Sequence, residues 1–192
     1  MSTQGFTLIE TLVAISLLSV AIVSPMTLAS QSLSGAYYAR DEITAFNLAQ
    51  EGLEAVRAVR DGQILTISQS IDASSIDLFG AIPNNQDFTI DSRMQNVANS
   101  MTPCPLNSCA PLQTDGTLYG YDPDTATWVS TRFTRTLRAC YVQPSGDCGS
   151  IITDEIRITS KVSWPTAGKQ TRSFTITSDF YRWVSDGSAA SE

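Results

Sequence analysis

Hydrophobic positions in the first 60 residues follow two different patterns. Phe6 to Ala29 form an apolar run with one charged residue, whereas Gly35 to Arg60 carry apolar side chains at three- and four-residue spacing. A helix rises about 1.5 Å per residue, so a run of this length matches a bilayer core of about 30 Å. The first pattern therefore predicts a helix that crosses a membrane. The second predicts an amphipathic continuation that packs on a folded domain.

The amphipathic segment, residues 30–61, has one apolar stripe. A helix with such a stripe buries it against a neighbouring element, so we expect the stripe to join a hydrophobic core. Asp61 and Gly62 supply a helix stop, which places the end of the helix at residue 61. The members of the stripe are Ile43, Phe46, Ala49, Leu53 and Val56.

Pro25 interrupts the apolar segment, residues 6–29. A proline ring removes one backbone hydrogen bond and crowds the preceding turn. We therefore expect a kink or a local opening of the helix at this position.

Beyond residue 61 the helical period disappears. Residues 62–130 form a loop-rich variable region, in which residues 87–90 are a candidate strand. Residues 131–184 alternate between apolar and polar side chains in three stretches, which predicts three adjacent strands. A short loop at residues 165–168 joins the last two, so these should pair antiparallel. The predicted fold class is α+β, with a long N-terminal helix packed on an antiparallel sheet, and residues 185–192 are expected to be a disordered tail.

The composition narrows the possible functions. The 192 residues include 12 basic and 19 acidic side chains, a net charge of −7, and no histidine. Without histidine there is no Ser-His-Asp or Cys-His relay and no imidazole metal ligand. We therefore expect no enzyme, no catalytic residue, no cofactor and no metal. The acidic balance also argues against nucleic acid as a partner.

Two local charge patterns bear on specific functions, nucleic-acid binding and calcium binding. Arg132, Arg135 and Arg138 recur every three residues, so on a strand they alternate between faces and form no single basic stripe. We expect them to be solvated strand charges. Asp122 and Asp124 flank a proline and offer oxygen ligands, but the calcium-loop pattern is missing, which favours a solvated turn.

All four cysteines lie in the predicted head, residues 62–184. The spacings favour two local disulfides, Cys104–Cys109 and Cys140–Cys148, over a zinc site, which prefers pairs separated by two residues. Four cysteines allow three connectivities, so crossed bridges remain open. Either arrangement indicates an oxidising compartment.

Glu10 is the only charged side chain between Met1 and Ala39. A carboxylate in hydrocarbon costs on the order of 2.5 to 3.5 kcal/mol, so an acid inside a predicted membrane span marks a functional residue that needs a partner. A secretory signal peptide is a poor explanation, because residues 1–5 lack a basic residue and the apolar run is too long.

The sequence GFTLIE, followed by TLVAISLL, resembles the N-terminal signal of type IV pilins and type II secretion pseudopilins. The resemblance covers about the first 30 residues. It implies that a prepilin peptidase removes residues 1–5 by cutting after Gly5 and N-methylates Phe6. Glu10 then matches the acid that the family places five residues past the cut. A proline is common in these helices near the position of Pro25.

The resemblance also implies a mechanism and a set of partners. The new amine of Phe6 approaches Glu10 of a neighbouring subunit, pairing two buried charges and setting the axial register. The partners are other pilin subunits, the prepilin peptidase, the inner membrane before assembly, and a pilus or type II secretion assembly platform. The precursor is expected as a single-pass protein of the inner, or cytoplasmic, membrane. The assembled form is expected in an extracellular pilus or a periplasmic pseudopilus.

The leading hypothesis is therefore a structural filament subunit, and the serine- and threonine-rich head favours a minor one. The alternative is a membrane-anchored or filament-tip adhesin whose head binds a surface, a sugar or DNA.

Overall fold

The computed structural model describes residues 5, 7–69, 76–93, 100–121, 127–166 and 170–184. The chain divides into two compact units, Met1–Ile43 and Thr44–Glu192. The predicted turn at Asp122–Asp124 and the predicted tail at residues 185–192 lie outside the described residues.

One helix, α1, runs from Leu8 to Gln69. It is continuous through Pro25, so the proline does not end it, and a kink there stays a prediction. The predicted stop at Asp61 and Gly62 is wrong. The helix continues because Ile64 and Ile67 pack on the hydrophobic core, and burial of two large side chains outweighs the roughly 1 kcal/mol that a glycine costs inside a helix.

The strands in the described residues are β1 (Asp87–Ile90), β2 (Met101–Pro103), β3 (Gln113–Thr114), β4 (Tyr119–Gly120), β5 (Val129–Ser130), β6 (Thr134–Val142), β7 (Cys148–Gly149), β8 (Glu155–Pro165) and β9 (Thr171–Tyr181). These strands form two antiparallel sheets. The main sheet has the order β2-β1-β6-β8-β9 with β7 paired to β6, and the small sheet has the order β4-β3-β5.

The three predicted long strands correspond to β6, β8 and β9. Strands β8 and β9 pair antiparallel over their whole length, from Glu155 opposite Tyr181 to Pro165 opposite Thr171. The candidate strand at residues 87–90 is also present, as β1, and it pairs with both β2 and β6. The α+β architecture is confirmed.

The core of the second unit lies between one face of the main sheet and the helical residues after Ile43. Along β8, the side chains of Ile156, Ile158, Val162 and Trp164 are buried on one face, as the alternation predicts. The C-terminal part of the helix contributes Leu53, Val56 and Val59 to a large cluster. A second cluster joins Ala45, Leu48 and Ala49 to Leu112, Phe133, Val162 and Trp164.

The prediction that Ile43 and Phe46 are buried members of the apolar stripe is wrong. Ile43 is 62% exposed and Phe46 is 39% exposed, although the centres of the Phe46 and Phe174 rings lie 5.4 Å apart. Ala45, which the predicted stripe does not include, is fully buried, and so is Ala49, as the stripe predicts. The sheet presents large aromatic rings at this end, so the helix turns small side chains toward them, and this allows close packing.

Candidate processing and assembly site

Thr7 marks the start of α1. Its backbone carbonyl accepts hydrogen bonds from the N–H groups of Glu10 at 3.1 Å and Thr11 at 3.2 Å, and its hydroxyl oxygen lies 3.4 Å from the Glu10 nitrogen. Threonine followed three residues later by glutamate is a helix-capping pattern, and a carboxylate in the first turn favours the positive end of the helix dipole. The helix therefore begins just after the predicted cleavage position.

Gly5 precedes the helix and is exposed to solvent. In the part of the chain that the structure describes, no heavy atom lies within 4 Å of the position that a Cβ would occupy there. Backbone in this environment is open to an enzyme that must bind it in an extended form. Phe6, the predicted methylated residue, lies outside the described residues.

Glu10 projects from the first turn of α1 and is exposed. Across the part of the chain that the structure describes, its carboxylate takes part in no hydrogen bond and no ion pair. Its pairing with a Phe6 amine remains a prediction.

The first part of α1 presents an apolar surface on every side. Thirteen large apolar side chains between Leu8 and Leu33 are 49% to 82% exposed. The helix is long and apolar enough to cross a membrane, and none of its most apolar 18-residue window is buried. Exposed apolar surface of this extent requires lipid or other helices around it.

Five hydroxyl groups on this surface form hydrogen bonds within the helix. Each donates to the carbonyl oxygen three or four residues earlier, at 2.7 to 3.0 Å. Hydroxyls bonded in this way enter an apolar environment without losing a partner. They belong to Thr11, Ser16, Ser19, Thr27 and Ser34.

Arg135 on β6 is fully buried, contrary to the expectation of a solvated strand charge. Its Nη1 donates to the carbonyl oxygen of Leu48 in α1 at 3.1 Å, and its Nη2 donates to that of Ile90 at the end of β1 at 2.8 Å. The Glu51 carboxylate lies 3.4 Å from Nη1. One signal was available in the sequence: Arg135 shares the strand face of Phe133 and Leu137, which are apolar.

The other two arginines of the triplet have different surroundings. Arg138 is exposed and pairs with Asp87 at 3.2 Å, while Arg132 is exposed beside the ring of Phe133. The alternation predicts that the three guanidinium groups share no single face, and the structure agrees: one is buried and two are exposed. The triplet gives no support for a DNA-binding head.

Asp91 and Arg93 form a second partly buried charge pair. The Asp91 carboxylate accepts from Arg93 Nη2 at 2.7 Å and from the backbone N–H of Tyr121 at 2.9 Å. Burial alone would raise the pKa of Asp91, but these hydrogen bonds outweigh it and hold the pKa below the ordinary value of 3.8. The Arg93 guanidinium also lies 4.1 Å from the centre of the Trp128 ring. These contacts tie the small sheet to the main sheet.

The structure contains two disulfides, Cys104–Cys109 and Cys140–Cys148. Both are the local pairings that the spacings favour, and no cysteine is free. The first closes an exposed loop after β2, and the second joins β6 to β7. Each therefore stabilises a local turn of the head.

Comparison with known protein families gives a match at the N-terminus. Residues 1–24 match the family described as the prokaryotic N-terminal methylation motif. The match includes Gly5, Phe6 and Glu10 and ends before Pro25, so it does not extend to the head. No curated protein and no solved structure matches the chain.

Proposed function

We propose that this chain, whose first 24 residues carry the prepilin-type methylation signal of type IV pilins and pseudopilins, is a structural subunit of a filament of that kind. The observation that carries the proposal is the position of the signal relative to α1. The helix begins at Leu8, directly after the processing sequence, and its first part presents apolar side chains on all sides. Such a helix suits a protein that first resides in lipid and later packs among copies of itself.

Processing is the first step of the proposed function. A prepilin peptidase cleaves the bond after Gly5 and methylates the new amino terminus on Phe6. The exposure of Gly5 and its place outside the helix support this step, because a protease needs extended backbone. The Thr7 cap supports it further, since it favours a helix that begins beyond the cut.

Assembly is the second step. The apolar part of α1 leaves lipid and packs against the same part of neighbouring subunits. In that environment the Glu10 carboxylate needs an opposite charge, and the Phe6 amine of an adjacent subunit supplies one. Because only one axial offset brings the two groups together, the pair sets the register of the filament.

The partners and compartments follow from this pathway. The precursor resides in the inner membrane as a single-pass protein, and an assembly platform of the pilus or type II secretion type inserts it into the filament. The two disulfides support a head that lies outside the cytoplasm, where thiols oxidise. We place the chain among the minor subunits, as the serine- and threonine-rich head suggests.

Mass spectrometry of the mature N-terminus tests the processing step. The proposal expects a chain that begins at Phe6 and carries one methyl group on its amine. A mature chain that begins near Ser30 indicates ordinary secretion and would overturn the filament proposal.

Substitution of Glu10 tests the assembly step. Glu10→Ala should leave membrane insertion unchanged and strongly reduce the amount of subunit in sheared filaments. Glu54→Ala is the matched control, because Glu54 lies on the same helix and makes an exposed surface pair with Arg57. Normal incorporation of the Glu10→Ala protein would refute the register role.

A further inference from the structure

Polar and amphipathic side chains bracket the apolar part of α1. Glu10 lies at one end, and Tyr37 and Tyr38 lie at the other, followed by Arg40. Tyr37 is 56% exposed and Tyr38 is 37% exposed. All of these residues belong to the first unit of the chain and to one continuous helix.

The distance between these markers matches the thickness of a bilayer. Glu10 and Tyr37 are separated by 27 helical steps, or about 40 Å along the axis at about 1.5 Å per residue. A bilayer is about 40 to 45 Å thick with its headgroups, and its hydrocarbon core is about 30 Å thick. A helix that stands nearly upright therefore places Glu10 in one headgroup layer and Tyr37 in the other.

In this register the hydrocarbon core holds about 20 residues, roughly residues 14–33. This stretch contains no charged side chain. It contains three of the hydroxyls that donate to a carbonyl oxygen of the preceding turn, those of Ser16, Ser19 and Thr27. In this register Glu10 lies outside the hydrocarbon core, so the cost of placing its carboxylate in hydrocarbon does not arise.

Tyrosine has the chemistry of a residue at the lipid–water interface. Its ring is apolar and its hydroxyl is polar, so it concentrates at the headgroup level of membrane proteins. Two adjacent tyrosines on a helix point about 100° apart, and their rings lie at nearly the same level along the helix axis. Arg40 lies about one turn beyond Tyr37, at the level of the phosphate groups and water.

We propose that Tyr37 and Tyr38 bind the outer headgroup layer of the bilayer and set the depth of the precursor, so that the Glu10 carboxylate lies in the inner headgroup layer. This inference rests on the proposed function, in which the precursor resides in a membrane. The carboxylate is then hydrated before assembly. Its need for the Phe6 amine arises when the helix leaves lipid for neighbouring helices.

A cysteine scan of the full-length precursor tests the register. The four native cysteines are bonded in pairs, so an introduced thiol is the only reactive one. Membrane vesicles of both orientations are treated with a charged, membrane-impermeant maleimide. We expect Glu10→Cys to react only from the cytoplasmic face, Ile22→Cys to react from neither face, and Ala39→Cys to react only from the outer face. Protection of Glu10→Cys from both faces would overturn the proposal.

Substitution of the tyrosines tests their role as anchors. In the Tyr37→Leu/Tyr38→Leu protein, the outer boundary of labelling should move toward Arg40 by about one helical turn, or 3 to 4 residues. Tyr37→Trp/Tyr38→Trp is the matched control and should leave the boundary in place, because tryptophan has the same interfacial preference. A boundary that stays fixed in the leucine variant would also overturn the proposal.

Extraction with alkaline carbonate separates this inference from the proposed function. Release of the unsubstituted chain from membranes would contradict the membrane-resident precursor and thus the proposed function itself. Retention in the membrane with boundaries at other residues would contradict the register alone.

Discussion

The Nη1 group of Arg135 donates a hydrogen bond to the carbonyl oxygen of Leu48 at 3.1 Å, which joins strand β6 to helix α1 inside the core. A second bond from the same guanidinium reaches Ile90, at the end of β1. One buried side chain therefore connects the helix with two strands. A buried charge of this kind stabilises a fold only when its partners remain in place.

Removal of this guanidinium should destabilise the head. We expect Arg135→Met to lower the free energy of unfolding by about 3 kcal/mol, because two buried carbonyls and Glu51 lose a charged donor. Urea unfolding of the full chain in detergent, followed by tryptophan fluorescence, measures the change. The control is Arg132→Met, which removes an exposed side chain and should change the free energy of unfolding by less than about 0.5 kcal/mol. Equal effects of the two substitutions would contradict a special role for Arg135.

Gly52 provides the space that Arg135 occupies. A Cβ at this position would lie 3.0 Å from Arg135 Cδ and 3.1 Å from Ser160 Oγ. We expect Gly52→Ala to lower the free energy of unfolding by about 1 kcal/mol, because crowding in the core exceeds the gain in helix propensity. Gly35→Ala, with no neighbouring atom within 4 Å, should cause no loss. The same denaturation assay compares the two, and a more stable Gly52→Ala protein would refute the close approach.

Acid should weaken the head partly through Asp91. Its pKa in the folded protein lies below 3.8, so as the pH falls the unfolded chain takes up a proton before the folded protein does. The stabilisation is complete above the unfolded pKa of about 4 and is lost as the pH falls through the folded pKa. Urea unfolding at pH 7 and pH 3 should show a smaller pH difference for Asp91→Asn than for the parent. The control is Asp147→Asn, on an exposed turn. This variant should show the same difference in the free energy of unfolding between pH 7 and pH 3 as the parent.

The two disulfides should contribute separately to stability. They close short loops, with sequence separations of 5 and 8 residues, so each should contribute about 2 kcal/mol. We expect Cys140→Ser/Cys148→Ser to be at least as harmful as Cys104→Ser/Cys109→Ser, because the Cys140 side chain is buried. Thermal unfolding of both variants provides the comparison. A larger loss from opening the exposed loop at Cys104 would contradict this ranking.

Much of the fold follows from local patterns in the chain. The alternation in residues 131–184 predicts three strands and, within residues 153–164, the face that is buried, because a strand with one side in the core must alternate. The end of the helix depends on tertiary contacts. Asp61 and Gly62 form a plausible local stop, but Ile64 and Ile67 find partners in a core that forms from distant strands. The free energy gained by burying these two side chains exceeds the local preference of Asp61 and Gly62 to end the helix.

The long apolar run with the single charge of Glu10 is enough to show that the N-terminal residues are adapted to lipid or helical neighbours, because such a run suits no other environment. The alternating pattern is likewise enough to predict the three long strands. The buried side of the second half of α1 depends instead on contacts with the folded sheet, since a period of three to four residues tolerates a small rotation. The aromatic side chains across the interface select Ala45 over Ile43. Burial of Arg135 likewise depends on contacts in the folded protein, because its hydrogen-bond partners lie 45 and 87 residues away. The local sequence signals it only through the strand face that Arg135 shares with Phe133 and Leu137.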